Sequence, residues 1–227
     1  MSNLDNLIQI SLNKLRLQLR GKNKTKQNKN IQSFRRNQET IMQIIGGIRR
    51  GAKLVECKSL SVRPTSQRVR EAIFNLLAGG RFTPLVKNAT VLDLFAGTGA
   101  LGLEAISRGA NEAYFVERDQ QALNTLRANI QKLDFLDTTT VIAGSVENIT
   151  RWAYPPADLV FCDAPYTNNI TSQAIQNIAR IGAIRQGALV IIEMPKKDEM
   201  TLPHEFKFAD KRIYGISSIH LFNWNPF

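Results

Sequence analysis

Three acids stand where apolar runs end or break. Asp93 lies inside Ala89-Thr90-Val91-Leu92-Asp93-Leu94-Phe95-Ala96. Glu117 closes Tyr114-Phe115-Val116, and Asp163 closes Leu159-Val160-Phe161-Cys162. A carboxylate at the end of a buried strand can pair with a ligand cation or accept hydrogen bonds from hydroxyls and amines. Their neighbours narrow the chemistry. Asp93 is followed by Gly97, Gly99 and Gly102, which let backbone approach a ligand closely. The helix that follows aims its first amides into the same space. Glu117 lies 24 residues beyond Asp93, where an acid can accept from two ribose hydroxyls. Asp163 is followed by Ala164, Pro165 and Tyr166. That stretch offers a second acceptor in a backbone carbonyl, a stiff turn, and a ring for stacking on a flat heterocycle.

The glycine spacing at 97, 99 and 102 matches a dinucleotide fingerprint, so an NAD reading has to be weighed. Two features count against it. Asp93 precedes the turn, where a pyrophosphate would want neutral or positive surroundings, and the fingerprint sits mid-chain behind another helix. The run Asp93 to Gly99 instead resembles the binding signature for S-adenosylmethionine, whose methionine end carries an ammonium group. A purely structural glycine turn is the plain alternative. Asp163 to Tyr166 resembles the (Asp/Asn/Ser)-Pro-Pro-(Tyr/Phe/Trp) motif of amino-group methyltransferases acting on adenine or guanine. Ala164 departs from it. The carbonyl acceptor survives and the turn is less rigid, so the expectation is activity retained at some cost.

Positioning these groups requires a sheet. Strands are expected at 89–96, 112–117, 139–144, 158–163 and 187–194. Helices are expected at 99–108, 119–132 and 170–180, with a short one near 146–152. Two further β-like runs, 206–215 and 217–224, surround Gly215 and read as an antiparallel hairpin. Alternating β and α implies a mostly parallel sheet with helices on both faces and one antiparallel edge. Before the first strand, Gly46-Gly47 and Gly51 lie among Ile and Val, which predicts a β-hairpin with a basic tip. Thr65 or Ser66 can cap a helix whose apolar face is Val69, Ile73, Leu76 and Leu77, with Gly79-Gly80 as its stop.

The 227 residues suit one domain with an appendage. Net charge is +11 and the pI is near 10.0, which favours a polyanionic partner. The charge is uneven: residues 1–41 carry a net of +7 and residues 42–227 only +4. Residues 1–20 space leucines for a short amphipathic helix, and 20–40 read as a basic, low-complexity arm. That arm suits RNA phosphates, a solvated tail or a wrongly chosen start. A methyltransferase domain is expected over 42–227, divided into an N-terminal hairpin and helix (42–88) and a Rossmann-like core (89–227). No apolar run is long enough to span a membrane and no signal peptide is recognised. Cys57 and Cys162 lie far apart and read as reduced and structural. With two histidines no metal site is expected. A cytoplasmic setting fits.

Five blocks occur in order: IIGGIRRGAKL, RPTSQRVREAIFNLL, VLDLFAGTGALGLEAISRGA, FVERD and DLVFCDAPY. Together they closely resemble the bacterial 16S ribosomal RNA (guanine-N2)-methyltransferase family. The resemblance runs over 42–227 and rests most on the R-P-T-x-x-R-V-R-E-A-x-F-N block. It implies a class I methyltransferase fold with a seven-stranded sheet. It also implies methyl transfer from S-adenosylmethionine to a guanine N2 in the small subunit or an assembly intermediate, by a protein expected to be monomeric.

Carried over by position, Asp93, Phe95, Ala96, Gly97 and Gly99 would hold the methionine part, Glu117 the ribose, and Ser145 the adenine. Asp163, Ala164, Pro165 and Tyr166 would serve the guanine. Arg63, Thr65, Arg68 and Arg70 would close over the cofactor or grip phosphate. The alternative for these arginines is a solvated helix face paired with Glu71. Arg49, Arg50 and Lys53 would meet RNA backbone, against the alternative of a solvated tip. A DNA adenine-N6 methyltransferase shares the motif chemistry but would need a target-recognition domain. A protein-glutamine methyltransferase motif usually starts with Asn. A non-catalytic RNA-binding relative is the reading from a different class, with Ala164 as its one hint.

Overall fold

A computed structural model describes residues 42–57, 66–79, 86–164 and 168–226, with side chains from 170 onward in the last segment. The expectations for 1–41, Arg63, Thr65, Pro165 and Tyr166 fall outside them. Seven strands form one sheet: β1 (Thr90–Leu94), β2 (Glu112–Glu117), β3 (Thr139–Ala143), β4 (Ala157–Cys162), β5 (Ile184–Pro195), β6 (Phe206–Tyr214) and β7 (Ser217–Trp224). Their order is β3-β2-β1-β4-β5-β7-β6. Only β7 runs against the others, antiparallel to both β5 and β6. Every residue of β1 is buried, as a central parallel strand covered on both faces requires. From β1 the chain steps outward to β2 and β3, then returns to lay β4 on the other side of β1. The β1/β4 junction is therefore the topological switch point, where open α/β sheets hold ligands.

The helices are α1 (Gln67–Ala78), α2 (Ala100–Ser107), α3 (Gln120–Leu133) and α4 (Asn168–Arg180). Ser66 caps α1 by accepting from the Val69 amide at 3.2 Å, and Asp119 caps α3 by accepting from the Ala122 amide at 2.8 Å. Two apolar cores lie on opposite faces of the sheet. One gathers residues of α1, α2 and α3; the other gathers Ala174, Ile175 and Ile178 of α4 with the C-terminal strands.

Two expected elements differ. Residues 42–54 double back on themselves as a minimal antiparallel pair rather than two regular strands, with the Ile44 amide donating to the Ala52 carbonyl at 2.9 Å and the Leu54 amide to the Met42 carbonyl at 2.7 Å. They make one bridge, Gln43 to Lys53, and a 3₁₀ turn at Gly47–Arg49. The reason is docking: a Cβ at Gly47 would stand 1.7 Å from the Ser107 carbonyl oxygen, so the tip lies flat on α2. The short helix near 146–152 reduces to a 3₁₀ turn, Val146–Asn148. There the Asn177 amide of α4 donates to the Val146 and Ile149 carbonyls at 2.9 and 3.0 Å, taking acceptors a longer helix would use.

Candidate donor and base site at the switch point

The three acids meet along one sheet edge. Register pairs Leu94 with Val116 on one side and with Cys162 on the other. Asp93, Glu117 and Asp163 therefore end three neighbouring strands, spaced by about 4.8 Å per strand. Asp93 is 2% exposed, and one of its oxygens accepts from the Gly102 amide at 2.9 Å. Burial pushes its carboxyl well above the ordinary range. The Gly102 hydrogen bond opposes that, while the nearby Asp163 and Glu117 charges add to it. A desolvated acid beside two more acids is a site that wants a cation.

Glu117 is also buried, and it organises backbone. Its Oε2 accepts from the Gly97 amide at 2.8 Å, and its Oε1 accepts from the amides of Arg118 and Asp119, both at 2.7 Å. A carboxylate has about four acceptor positions. Among the described residues three are taken, which leaves room on Oε2 for one hydroxyl in this conformation rather than two.

The turn between β1 and α2 is shaped for close approach. Phe95 adopts φ 58° and Gly97 φ 55°; a left-handed phenylalanine is strained by about 1 kcal/mol and clusters at functional turns. Gly99 sits at φ 79°, and a Cβ there would lie 2.3 Å from a Leu126 methyl of α3. The missing side chain at Gly99 thus lets the turn pack directly on the core residues Leu126, Leu103 and Phe115. The chemistry of this set, a cation-seeking acid, a hydroxyl acceptor and bare backbone, fits S-adenosylmethionine. Ser145 is half-buried after β3, and its hydroxyl bonds to the Glu147 carboxylate.

At the end of β4, Asp163 and Ala164 are half-buried. The preceding Cys162 is fully buried, and its thiol is pushed upward by burial and by the Asp163 and Asp93 charges. The Ala164 amide hydrogen-bonds the same sulfur. A proline at 164 would lack that amide.

The basic residues divide. Arg50, Lys53 and Arg68 are exposed. Arg49 is folded back over the C-terminal end of α3: it donates to the Leu133 carbonyl at 2.8 Å and pairs with the exposed Asp134 at 3.2 Å. Arg70 is 1% exposed and donates to the Gln43 carbonyl at 2.9 Å, so it neither forms a solvated face nor reaches a phosphate here. Its long stem lies in the core under the N-terminal segment.

Several residues that the motif reading passed over bind that segment to α2 and α3. Glu104 of α2, wholly buried, accepts from the Ile45 and Gly46 amides at 2.7 and 2.8 Å and from Arg108 at 2.6 Å. Ser107 accepts from the Arg49 amide at 3.0 Å and donates to the Gly46 carbonyl. Asn129 of α3 is also wholly buried and fully hydrogen-bonded. The available signal was positional. Asn129 falls on the apolar stripe of Ala122, Leu126, Ile130 and Leu133, and Glu104 falls among apolar neighbours on both sides.

Comparison with known proteins places this geometry. The family described as Conserved hypothetical protein 95 matches residues 42–223. The chain belongs to this family. It is 33% identical to the Haemophilus influenzae protein named Ribosomal RNA small subunit methyltransferase D, over 82% of this chain and 95% of that one. The Escherichia coli protein of the same name is 32% identical over 80% and 89%. A solved Escherichia coli structure assigned to the methyltransferases superposes with TM-score 0.73 and 29% identity, covering 82% and 99%. An RNA methyltransferase from Salinibacter ruber, solved with S-adenosyl-L-homocysteine, shares the fold at TM-score 0.57 and 13% identity, covering 73% and 95%. The fold is that of the class I methyltransferases.

Proposed function

We propose that this protein methylates the exocyclic N2 of a guanine in small-subunit ribosomal RNA. The observation that carries the reading is Asp163, which ends β4 at the switch point beside the cation-seeking Asp93. The family and the names of its relatives support an RNA acceptor in the small subunit. S-adenosylmethionine, when bound, supplies a methyl group on a sulfonium sulfur. Asp93 would face its ammonium end, Glu117 a ribose hydroxyl, and the backbone at Gly97 and Gly99 its body. Ser145 would lie near the adenine.

The base side follows from amine chemistry. An exocyclic amine is a poor nucleophile because its lone pair is delocalised into the ring. Asp163 would accept one N–H and the Ala164 carbonyl the other, which favours a nitrogen whose lone pair is free to react. Pro165 would stiffen the turn and Tyr166 would stack on a base drawn out of its helix. Positioning carries most of the acceleration. Asp163 need not be a strong base, because the amine proton becomes acidic once the methyl has arrived. Arg50, Lys53 and Arg68 would meet RNA phosphates. A cytoplasmic setting belongs to the same reading.

The test offers labelled S-adenosylmethionine with small subunits from cells lacking the enzyme, and duplex DNA in parallel, followed by nucleoside analysis. Label in N2-methylguanosine is expected. Label in N6-methyladenine of DNA would move the protein to another class. Donor binding with no transfer to either acceptor would make it a binding relative.

A further inference from the structure

The donor turn is held from both sides, and the two holders differ. Glu117 fixes the Gly97 amide from the ribose side. From behind, the Asn129 side-chain amide donates to the Thr98 carbonyl at 3.0 Å and to the Val55 carbonyl at 3.2 Å, and its oxygen accepts from the Val55 amide at 2.6 Å. Thr98 lies between the two left-handed glycines, so its carbonyl sets the peptide plane that leads into Gly99 and the first turn of α2. Thr98 is 5% exposed and Asn129 wholly buried. An alternative partner for that carbonyl would have to be water in a site closed to it. Other parts of the N-terminal segment are secured elsewhere, by Glu104 and Ser107 on α2. Clamping the segment and shaping the turn are therefore separable; among the described residues Asn129 does both through its amide, while the Thr98 hydroxyl makes a longer contact to the Met42 sulfur at 3.5 Å. We infer that Asn129 is a positioning residue: through the Thr98 carbonyl it holds the donor turn in its binding shape, and it governs methyl-donor affinity rather than RNA binding. This rests on the reading of the site as an S-adenosylmethionine site.

The test uses the full chain with Asn129→Asp, which keeps an acceptor for the Val55 amide but cannot donate to the Thr98 or Val55 carbonyl. Ser107→Ala serves as the control that loosens the segment at a distance from the turn. S-adenosylhomocysteine is the calorimetric probe, with donor KM, RNA KM and saturating kcat measured alongside. We expect Asn129→Asp to weaken the probe and raise donor KM roughly tenfold, with RNA KM and saturating kcat unchanged. Ser107→Ala should leave donor KM within about twofold while lowering the melting temperature. Unchanged donor binding in Asn129→Asp overturns the inference, as does an equal donor effect in Ser107→Ala. Should Asn129→Asp fail to fold, Asn129→Ala takes its place without adding a charge; if neither folds, the residue is structural and the inference fails. A wild-type protein that does not bind the probe would instead overturn the reading of the donor site.

Discussion

The acids of the switch point and the arginines of the N-terminal blocks were drawn from the same sequence, and the fold treats them differently. Asp93, Glu117 and Asp163 end adjacent strands and share one electrostatic site. Arg70 is spent on an internal carbonyl and Arg49 on a helix-end carbonyl and a surface acid, while Arg50, Lys53 and Arg68 stay at the surface. A short acid at a strand end has little freedom: the strand fixes its position and direction. A long basic side chain beside a docked loop can turn either way. Strand-end placement is therefore a better guide to a site than charge in a flexible block.

Replacing Asp93 should break the acid side most. Asp93→Asn retains an oxygen for the Gly102 amide but loses the charge, and donor affinity should fall on the order of a hundredfold by calorimetry. Thermal melting of the free protein should not fall, because a buried, poorly solvated charge has been removed. The same group sets a pH dependence. Its folded pKa is raised, so the folded state holds the proton more tightly than the unfolded chain does. Its contribution to stability is full below the ordinary carboxylate range and is lost as pH rises through the folded value. Donor binding runs the other way. A cation pairs with the ionised acid, so binding releases a proton and affinity rises with pH through that window. Asp93→Asn should flatten this profile; a wild-type affinity that is level with pH would contradict it.

The arginines should separate by effect. Arg70→Ala removes a buried stem from the core and leaves the Gln43 carbonyl without its donor, and should cost about 3 kcal/mol of stability by denaturant unfolding. Arg50→Ala and Lys53→Ala should change stability by no more than about 0.5 kcal/mol, yet each should reduce the salt slope of RNA binding by about one. Equal stability losses at Arg70 and Arg50 would erase the distinction between inward and outward cations.

Much of the sheet was legible because β2, β3 and β4 are apolar-rich runs followed or closed by an acid or a glycine, while the exposed β6 was read from its pairing with the run beyond Gly215. The first helix was legible through its cap, with Ser66 acting as such, and the others through the alternation of apolar strands and polar-faced helices. The N-terminal segment pairs with itself as read, but glycines and isoleucines could not reveal that its tip is flattened onto α2. Glu104, Ser107 and Asn129 were overlooked for a related reason. Their function is to receive or donate backbone hydrogen bonds from residues distant in sequence, and no local motif announces that. A polar residue on an apolar helical stripe was the one available cue.

The most direct measurement compares Asp163→Ala with the wild type in two assays on the same preparation: donor binding by calorimetry and single-turnover methyl transfer to small subunits. The account predicts that transfer is lost while donor affinity stays within about twofold, because Asp163 addresses the base and Asp93 the donor. Transfer at the wild-type rate would contradict the amine-positioning role at the end of β4, and a matching loss of donor affinity would contradict the division of the edge into a donor side and a base side.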